Sequence, residues 1–526
     1  TYLDAKKKEI DLVVFPEMFL TGYQVQDLIL NPTFQADVAS HIEMLVQKCS
    51  GKTALLFGAP ILEGSDLYNA YLIIKSGKME VITKKKHLPN FDVFDEHRYF
   101  KTGNLARTFK VKQAIIGCPI CEDIWRPDVM QSLKKGGANL IISPNGSPYE
   151  RGKLKLRQNV VQKRCIENEL PIIYINLIGG QDDQVFDGGS FVANKAGEIR
   201  VQIPQFEEKK SLVEFHEKGG LLNLTTYNKV VLAKGIAQDY RAIVEGTLDY
   251  VVKTGFESVI LGLSGGIDSA FSACVATDAL GPDRVKGILM PSKFTSNASN
   301  EDADQLGKNL GIGLESISIE EIVKAYDSTL DPLFKESKKD ITEENIQSRA
   351  RGSLLMAYSN KFGYMVLTNG NKSEVSVGYS TLYGDMCGGF SVVKDLYKSE
   401  LYKLAEWRNN NIPSNSVLDK KSLIPGNILT KEPTAELKPN QIDKDTLPPY
   451  EVLDKILYLL VEKESSISEI VDSGFDIDVV TKVQNMLYNS EYKRRQAAPG
   501  VKISERNFGY DRRYPITNAF RDSKGS

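Results

Sequence analysis

The stretch SVILGLSGGIDSAFSACVA, residues 258–276, decides the fold of the longer half of the chain. An apolar run, Val259 to Leu263, enters Ser264-Gly265-Gly266-Ile267-Asp268-Ser269, and a helix opens there. Strand, glycine turn and helix N-terminus in succession make a cradle for an anion such as pyrophosphate. The glycines let backbone N–H groups approach, the helix end adds positive potential, and Ser264 and Ser269 add hydroxyl donors. The loop is not a Walker A sequence, because the Gly-Lys-Ser/Thr ending is absent. Asp268 repels a bare phosphate, so its place in the loop makes sense mainly when Mg²⁺ bridges the two. A glycine turn capped by Asp268 and Ser269, as any helix uses, accounts for the loop by itself about as well.

Outward from this loop, a helix over 237–254 precedes it, and a helix over 268–279, the strand VKGILMPS (285–292) and further alternation to 364–367 follow. That pattern predicts a parallel, doubly wound sheet. Upstream, short apolar strands dominate: LVVFPE (12–17), TALLFGAPI (53–61), YLIIKSG from Tyr71, QAIIGCPIC (113–121), NLIISPNGS (139–147), PIIYINLIGG (171–180) and SFVANKAGEI from Ser190. Helical stretches lie between several of them, an α/β sandwich pattern. QFEEKKSLVEFHEKGG (205–220) is polar, charged and ends in two glycines, which marks a linker. The reading is therefore a domain over 1–204, a linker over 205–229 and a second domain over 230–526. The opening TYLDAKKKEID has the character of a helix end, and an α/β unit entered there predicts a further strand before Thr1.

The 526 residues are three to four times a domain prior of roughly 150, which agrees with two units. Lys and Arg number 66 against 68 Asp and Glu, a net charge of -2 that excludes a strongly basic nucleic-acid surface. Mean hydropathy is -0.26 and no 18-residue apolar run occurs, so a soluble protein without a membrane-spanning helix is expected. There is no signal-peptide pattern. Six Cys and four His are too few for a disulfide framework or a large metal array, and a cytoplasmic protein with reduced thiols follows.

The SGGxDS loop resembles that of the N-type ATP pyrophosphatases, which cleave ATP between the α- and β-phosphates to adenylate an oxygen. Four further blocks narrow this: TEENIQSRARG (342–352), LTNGNKSEVSVGYSTLYGDMCGGFSVVKDLYKSELYKLA (367–405), KEPTAELKPNQIDKDTLPPYEVLD (431–454) and EYKRRQAAPGVKIS (491–504). Together they resemble the glutamine-dependent NAD synthetases over nearly the whole chain. The resemblance implies that Gly262, Leu263, Ser264, Gly265, Gly266, Ile267, Asp268 and Ser269 hold the ATP phosphates. It implies that Asp268 and Glu374 ligate Mg²⁺, and that Asn369, Lys398 and Thr434 also meet ATP. Asn345, Arg349, Glu374, Tyr379 and Lys493 would contact deamido-NAD. Asn369 stands where Thr is usual, and its amide still hydrogen-bonds.

In the first half, IIGCPICEDIW (115–125) places Cys121 after an apolar strand. Cysteines so placed are mostly buried and inert. The Cys118–Cys121 spacing invites a zinc or redox reading, but no second CxxC or His pair completes a zinc site and no thioredoxin-like βαβ context surrounds it. Glu17 in LVVFPEMFLTGY and Lys85 in the KxxLP spacing to Leu88 change the balance, since Cys, Glu and Lys in these surroundings resemble the nitrilase superfamily. The resemblance makes Cys121 the nucleophile, Glu17 the general base and Lys85 the oxyanion stabiliser of an amide hydrolase, roles these residue types suit. Glu122 is either a second carboxylate of the site or a surface acid. Phe91, Ser147 and Lys153 match glutamine-contacting positions; Phe91 lacks the usual tyrosine hydroxyl, and Lys153 stands where Arg is common and lacks its planar fork. The block IGGQDDQVFDGGS (178–190) would wall the pocket, and alone it reads as a hairpin loop.

The implied fold is a nitrilase-like α-β-β-α sandwich followed by a doubly wound parallel-sheet ATP pyrophosphatase domain of the adenine nucleotide alpha hydrolase type. The implied activity is a carbon-nitrogen ligase that amidates deamido-NAD with ammonia from glutamine, through an adenylate, and passes the ammonia between its sites. Its co-substrate and metal would be ATP and Mg²⁺; its partners are small molecules, with no nucleic acid or membrane, and a homo-oligomer of a synthetase-domain dimer or larger is expected. Two alternatives are another ATP-pyrophosphatase amidotransferase and an ammonia-only synthetase with an inactive amidase module. A third is a carbon-nitrogen hydrolase regulated by a nucleotide-sensing half.

Overall fold

The computed structural model describes residues 1–439 and 441–522. Residue 440, inside the 431–454 block, and residues 523–526, at the end of the expected second domain, lie outside the described residues. The chain divides into one unit of Thr1–Gln181 with Val185–Leu232, and a second that runs from Ala233 and includes Asp182–Gln184.

In the first unit, four strands run in the order Leu12–Val14, Ala54–Glu63, Asp66–Lys75, Lys78–Lys84. A seven-stranded sheet has the order Asn228–Lys229, Ile199–Gln202, Phe191–Ala193, Ile172–Asn176, Leu140–Asn145, Ala114–Gly117, Thr108–Val111. The period-two side-chain pattern decides what each sheet covers. Leu56, Tyr71 and Ile73 of the first sheet meet Ile116, Leu140 and Ile142 of the second in one core. The alternate residues Leu55, Phe57, Leu72 and Ile74 face the helix Pro32–Lys48 through Val38 and Ile42. On the far side of the second sheet, Ile141, Ile172, Tyr174 and Phe191 pack on Val129, Leu133, Val161 and Cys165 from two helices. Helix, sheet, sheet and helix therefore lie in layers, the α-β-β-α sandwich. Within the 205–229 stretch, Gln205 and Phe206 are buried and Phe215–Lys218 pairs with Leu221–Leu224 as a hairpin.

The second unit holds a five-stranded sheet, wholly parallel, in the order Gly313–Ser316, Val285–Leu289, Val259–Gly262, Met365–Thr368, Phe390–Ser391. Strand order reverses between Val259–Gly262 and Met365–Thr368, the crevice where doubly wound sheets bind ligands. The helix Ile267–Leu280 buries every residue but Asp268, so it is fixed from all sides with one carboxylate at its start. A separate cluster from the helices Lys372–Val377, Tyr450–Val461, Ile467–Asp472 and Ile477–Asn489 packs around Leu453, Leu457, Val480 and Val483.

One glycine sets where the first sheet delivers its chemistry. Gly58 donates to the Pro16 carbonyl at 3.1 Å and accepts from the Leu20 N–H at 3.1 Å, so residues 16–20 lie directly on the strand. A Cβ at Gly58 would stand 2.2 Å from the Met18 nitrogen and 2.8 Å from the Glu17 Cα. Gly58→Ala is therefore expected to destabilise the first unit by about 1–3 kcal/mol in urea denaturation, as overpacking does. Gly426→Ala, with no atom within 4 Å of the added Cβ, serves as the near-neutral comparison.

Candidate functional site

Three loops leaving strands of the first unit converge on one buried charge cluster. Lys85, just beyond Lys78–Lys84, is anchored by its N–H to the Asn69 carbonyl and by its own carbonyl to the Gly103 N–H, both at 2.8 Å. Its ammonium lies 2.8 Å from Glu17 Oε1 and 2.9 Å from Glu96 Oε2, with no side-chain surface exposed. The Gly146 N–H donates to Glu17 Oε2 at 2.7 Å, and the Tyr23 hydroxyl donates to Glu96 Oε1 at 2.9 Å. Burial pulls the Lys85 ammonium down, but Glu17 and Glu96 outweigh it and raise its pKa well above the ordinary value. Burial pushes the Glu96 carboxyl up to about 7, against the pull of Lys85.

Cys121 follows the strand Ala114–Gly117 and precedes the short helix Glu122–Trp125. Its backbone has φ 46° and ψ -101°, an unfavourable conformation for a residue with a Cβ, of the kind that costs about 1–3 kcal/mol. The Pro144 carbonyl holds it through the Cys121 N–H at 2.9 Å. Asp123, fully buried, accepts from the backbone N–H groups of Ile120 at 3.1 Å and His87 at 2.8 Å, tying the cysteine turn to the residues after Lys85. Its carboxyl is pushed up to about 6 by burial. The Cys121 thiol is raised well above its usual value, first by burial and then by Glu17, with Lys85 opposing. Glu17, Lys85 and the Cys121 thiol thus lie within electrostatic reach of one another, with Glu96, Tyr23 and Asp123 beside them.

The glutamine-contacting candidates are more dispersed. Phe91 and Glu122 line a pocket of about 330 Å³ together with Lys86, His87 and Arg126. Ser147 is buried; its N–H donates to Asn176 and its hydroxyl accepts from Arg157 Nε at 3.0 Å. Arg157, itself buried against Asp187 at 2.7 Å, is a residue that sequence patterns did not flag. Lys153 is paired with Glu150 at 3.8 Å. The 178–190 block forms the hairpin Ile178–Gln181 and Gln184–Asp187.

The second cluster occupies the crevice of the parallel sheet. Gly265 has φ +73°, and a Cβ there would sit 2.2 Å from the Ser299 carbonyl oxygen, so the turn admits glycine alone. The Ser264 and Ser269 hydroxyls, expected to face an anion, bond within the loop: Ser264 Oγ accepts from the Gly266 N–H at 3.2 Å and Ser269 Oγ donates to the Gly266 carbonyl at 3.1 Å. Leu263 N–H, by contrast, is committed to the Ile288 carbonyl. Lys398, first residue of the helix Lys398–Asn410, places its ammonium 2.6 Å from Asp268 and 3.0 Å from Glu374. Asn371 donates to Asp268 at 2.7 Å and accepts from the Glu374 N–H at 3.0 Å. Burial pushes the Glu374 carboxyl up to about 7, opposed by Lys398 and supported by Asp268 and Asp443. Asn369 donates to the Gly262 carbonyl at 3.3 Å, and Thr434 donates to the Gln441 carbonyl at 2.5 Å.

The deamido-NAD candidates gather on residues 378–382. Lys493 donates to the carbonyls of Gly378 and Ser380 at 2.8 and 2.7 Å, Arg349 to that of Leu382 at 3.2 Å, and Asn345 accepts from the Thr381 hydroxyl at 2.8 Å. Tyr379 donates to Asp443, and Tyr450 donates to both Asp443 and Glu374, so these residues join the phosphate-loop cluster. Asn371, Asp443 and Tyr450 lie inside the recognised blocks, where nothing in residue type separates them from their neighbours.

Residues 2–218 match the family model described as carbon-nitrogen hydrolase, and residues 239–497 that described as NAD synthase. The glutamine-dependent NAD(+) synthetase of Rhodobacter capsulatus is 46% identical over 512 residues, 97% of this chain and 93% of the relative. That of Thermotoga maritima is 42% identical, covering 98% and 94%. The solved glutamine-dependent NAD+ synthetase from Acinetobacter baumannii in complex with ADP aligns over 99% of this chain and 95% of its own, with a TM-score of 0.76 at 39% identity. A Cytophaga hutchinsonii structure, at a TM-score of 0.81 and 20% identity, shares the fold. With two clusters of paired carboxylate and ammonium on two such domains, and relatives of this identity along nearly the whole length, the chain belongs to the glutamine-dependent NAD(+) synthetases.

Proposed function

We propose that the chain amidates deamido-NAD to NAD with ATP and glutamine, and that its two charge clusters divide the work. The observation that carries this is the sealed Lys85 ammonium between Glu17 and Glu96 beside Cys121, in the same chain as the Asp268–Lys398–Glu374 cluster at a phosphate loop. In the first unit Cys121 Sγ attacks the glutamine side-chain carbonyl while Glu17 takes the thiol proton and Lys85 steadies the oxyanion. Glu17 then returns the proton to the departing nitrogen, ammonia leaves, and water releases glutamate from the thioester. Phe91, Ser147 and Lys153 are assigned to glutamine.

In the second unit the nicotinate carboxylate of deamido-NAD attacks the α-phosphate of ATP, pyrophosphate leaves, and ammonia displaces AMP from the adenylate to give the amide. Gly262 to Ser269, Asn369, Lys398 and Thr434 are assigned to ATP, and Asn345, Arg349, Glu374, Tyr379 and Lys493 to deamido-NAD. Asp268 and Glu374 would hold Mg²⁺, since both already converge on one cation, the Lys398 ammonium. When bound, the metal neutralises phosphate charge. Ammonia in water is mostly non-nucleophilic ammonium, which favours a sheltered transfer from one site to the other.

We assign the activity to 1–204 and 230–526, with 205–229 between them, and to a cytoplasmic homo-oligomer with no nucleic-acid or membrane partner. Among the described residues no helix is long and apolar enough to cross a membrane.

In an assay of AMP and NAD with ATP and deamido-NAD, Cys121→Ala is expected to lower the glutamine-driven rate by about a thousandfold and leave the ammonium-driven rate within about twofold. Equal loss with both nitrogen sources would remove Cys121 from the nucleophile role. Asp268→Ala is expected to lower both rates by about a hundredfold or more; survival of either rate removes Asp268 from the adenylating site.

A further inference from the structure

Asn69 sits in the middle of the strand Asp66–Lys75, 1% exposed, at a position no step of the proposed chemistry uses. Its side-chain nitrogen donates to Glu17 Oε1 at 2.8 Å and reaches Glu96 Oε1 at 3.3 Å, while its backbone carbonyl accepts the Lys85 N–H at 2.8 Å. The amide can face the carboxylates only through nitrogen, because two oxygens at that distance repel. Its Oδ1 is left without a hydrogen bond among the described residues. A buried carbonyl without a partner disfavours folding relative to an apolar side chain of the same shape, so packing does not account for an amide here.

From this arrangement we propose that Asn69 is the positioning residue of the amide-hydrolysing site, a donor shared by Glu17 and Glu96 that holds the two carboxylates beside Lys85 and keeps Glu17 free to take the Cys121 proton. The inference rests on the reading of Cys121, Glu17 and Lys85 as a glutamine hydrolase. The groups facing the carboxylates are Lys85, the Tyr23 hydroxyl on Glu96, the Gly146 N–H on Glu17 and the Cys121 thiol, with Glu122 beside the thiol and Asp123 on the cysteine turn. Of these and Asn69, only Lys85 and Asn69 donate to both carboxylates. Without the amide, the repulsion of Glu17 and Glu96 is less offset and their charged forms are less stabilised. Glu96, already pushed up to about 7 by burial, then holds its proton to a higher pH still, and the acid limb of the pH profile moves upward.

The test is glutamine hydrolysis by Asn69→Ala and Asn69→Gln across the acid and neutral range, with ammonium-driven NAD formation in the same preparations as the measure of folded chain. N69A is expected to lower kcat about ten- to a hundredfold with KM for glutamine within about twofold, and to move the acid limb up by about one pH unit. N69Q, which keeps the donor on a longer arm, is expected to recover part of kcat and bring the limb back toward wild type. If N69A does not accumulate folded, N69S, whose hydroxyl is too short to span both carboxylates, is measured for the same shift. A variant profile laid over that of the wild type, or a rise in KM alone, overturns the inference while glutamine hydrolysis by the wild type stands. A wild-type chain that hydrolyses no glutamine overturns the hydrolase reading and this inference with it.

Discussion

The Lys85 ammonium has no solvent-exposed side-chain surface and lies within 3 Å of two carboxylates that are themselves buried. Taking any one of these charges out of water costs several kcal/mol, and the cost is offset only while the opposite charges stay at hydrogen-bond distance. Lys85, Glu17 and Glu96 therefore stand or fall as a group, and the backbone around them is arranged to bring three distant segments that close. Glycines stand at the closest approaches: Gly58 beneath residues 16–20, Gly103 against Lys84 and Lys85, and Gly146, whose N–H reaches Glu17. At Gly103 an added Cβ would sit 2.3 Å from the Lys84 carbonyl oxygen. Fold and chemistry meet at these contacts, because the sheet edge that carries the charge cluster tolerates no side chain there.

The second unit solves the same problem with a different degree of access. Lys398 also lies between two carboxylates, but the side chains of Asp268 and Glu374 keep 19% and 17% of their surface exposed, against 1% for Glu17. That difference suits the ligands. On the proposed assignment the Lys85 cluster acts on a neutral amide and has no need to admit another ion, whereas the Lys398 cluster receives a polyphosphate and a cation. Deeper in the second unit, Lys372 is sealed against Asp395 at 2.9 Å and Glu462, and its hydrogen bonds to Ser504 and the Arg506 carbonyl fix the start of the helix that carries Glu374. A fully buried ion cluster thus serves as footing for a half-open one.

How much of this was legible in the sequence follows from what each residue type announces. Strand-turn-helix at 258–276 and the short apolar runs of the first half point to two α/β units, since strands buried on both faces read as continuous apolar runs. Cys121 and Glu17 stand out because each follows an apolar strand, and Lys85 through its KxxLP spacing to Leu88. Glu96 does not: it is one acid among Asp92, Asp95 and Glu96, and only the turn at residues 96–98 decides that Glu96 points inward and Asp92 outward. Asn69 is a polar residue in an otherwise buried strand run, a signal that was present and went unread. Asp443 and Tyr450 come from a loop and the helix after it, and act by closing on Glu374 across more than sixty residues, a contact no local pattern encodes. The 205–220 stretch reads as linker from its charge, because the hairpin at 215–224 shows most of its side chains to solvent and so lacks strand patterning.

The electrostatics of Cys121 bear on how the amide is attacked. A thiol beside a lysine is often taken for a standing thiolate, but here burial and the nearby Glu17 and Glu96 raise the thiol well above its usual value and Lys85 only partly opposes them. Lys85 already has two carboxylates to neutralise, so little of its charge is left to hold a thiolate. That favours a protonated resting sulfur, and on the proposed roles its proton passes to Glu17 as the carbonyl arrives. The unfavourable backbone at Cys121 is held in a turn pinned by the Pro144 carbonyl and the Asp123 carboxylate. On the proposed roles, reactivity comes from geometry that the substrate completes, with burial first and then the nearby carboxylates holding the thiol in its protonated form until it does.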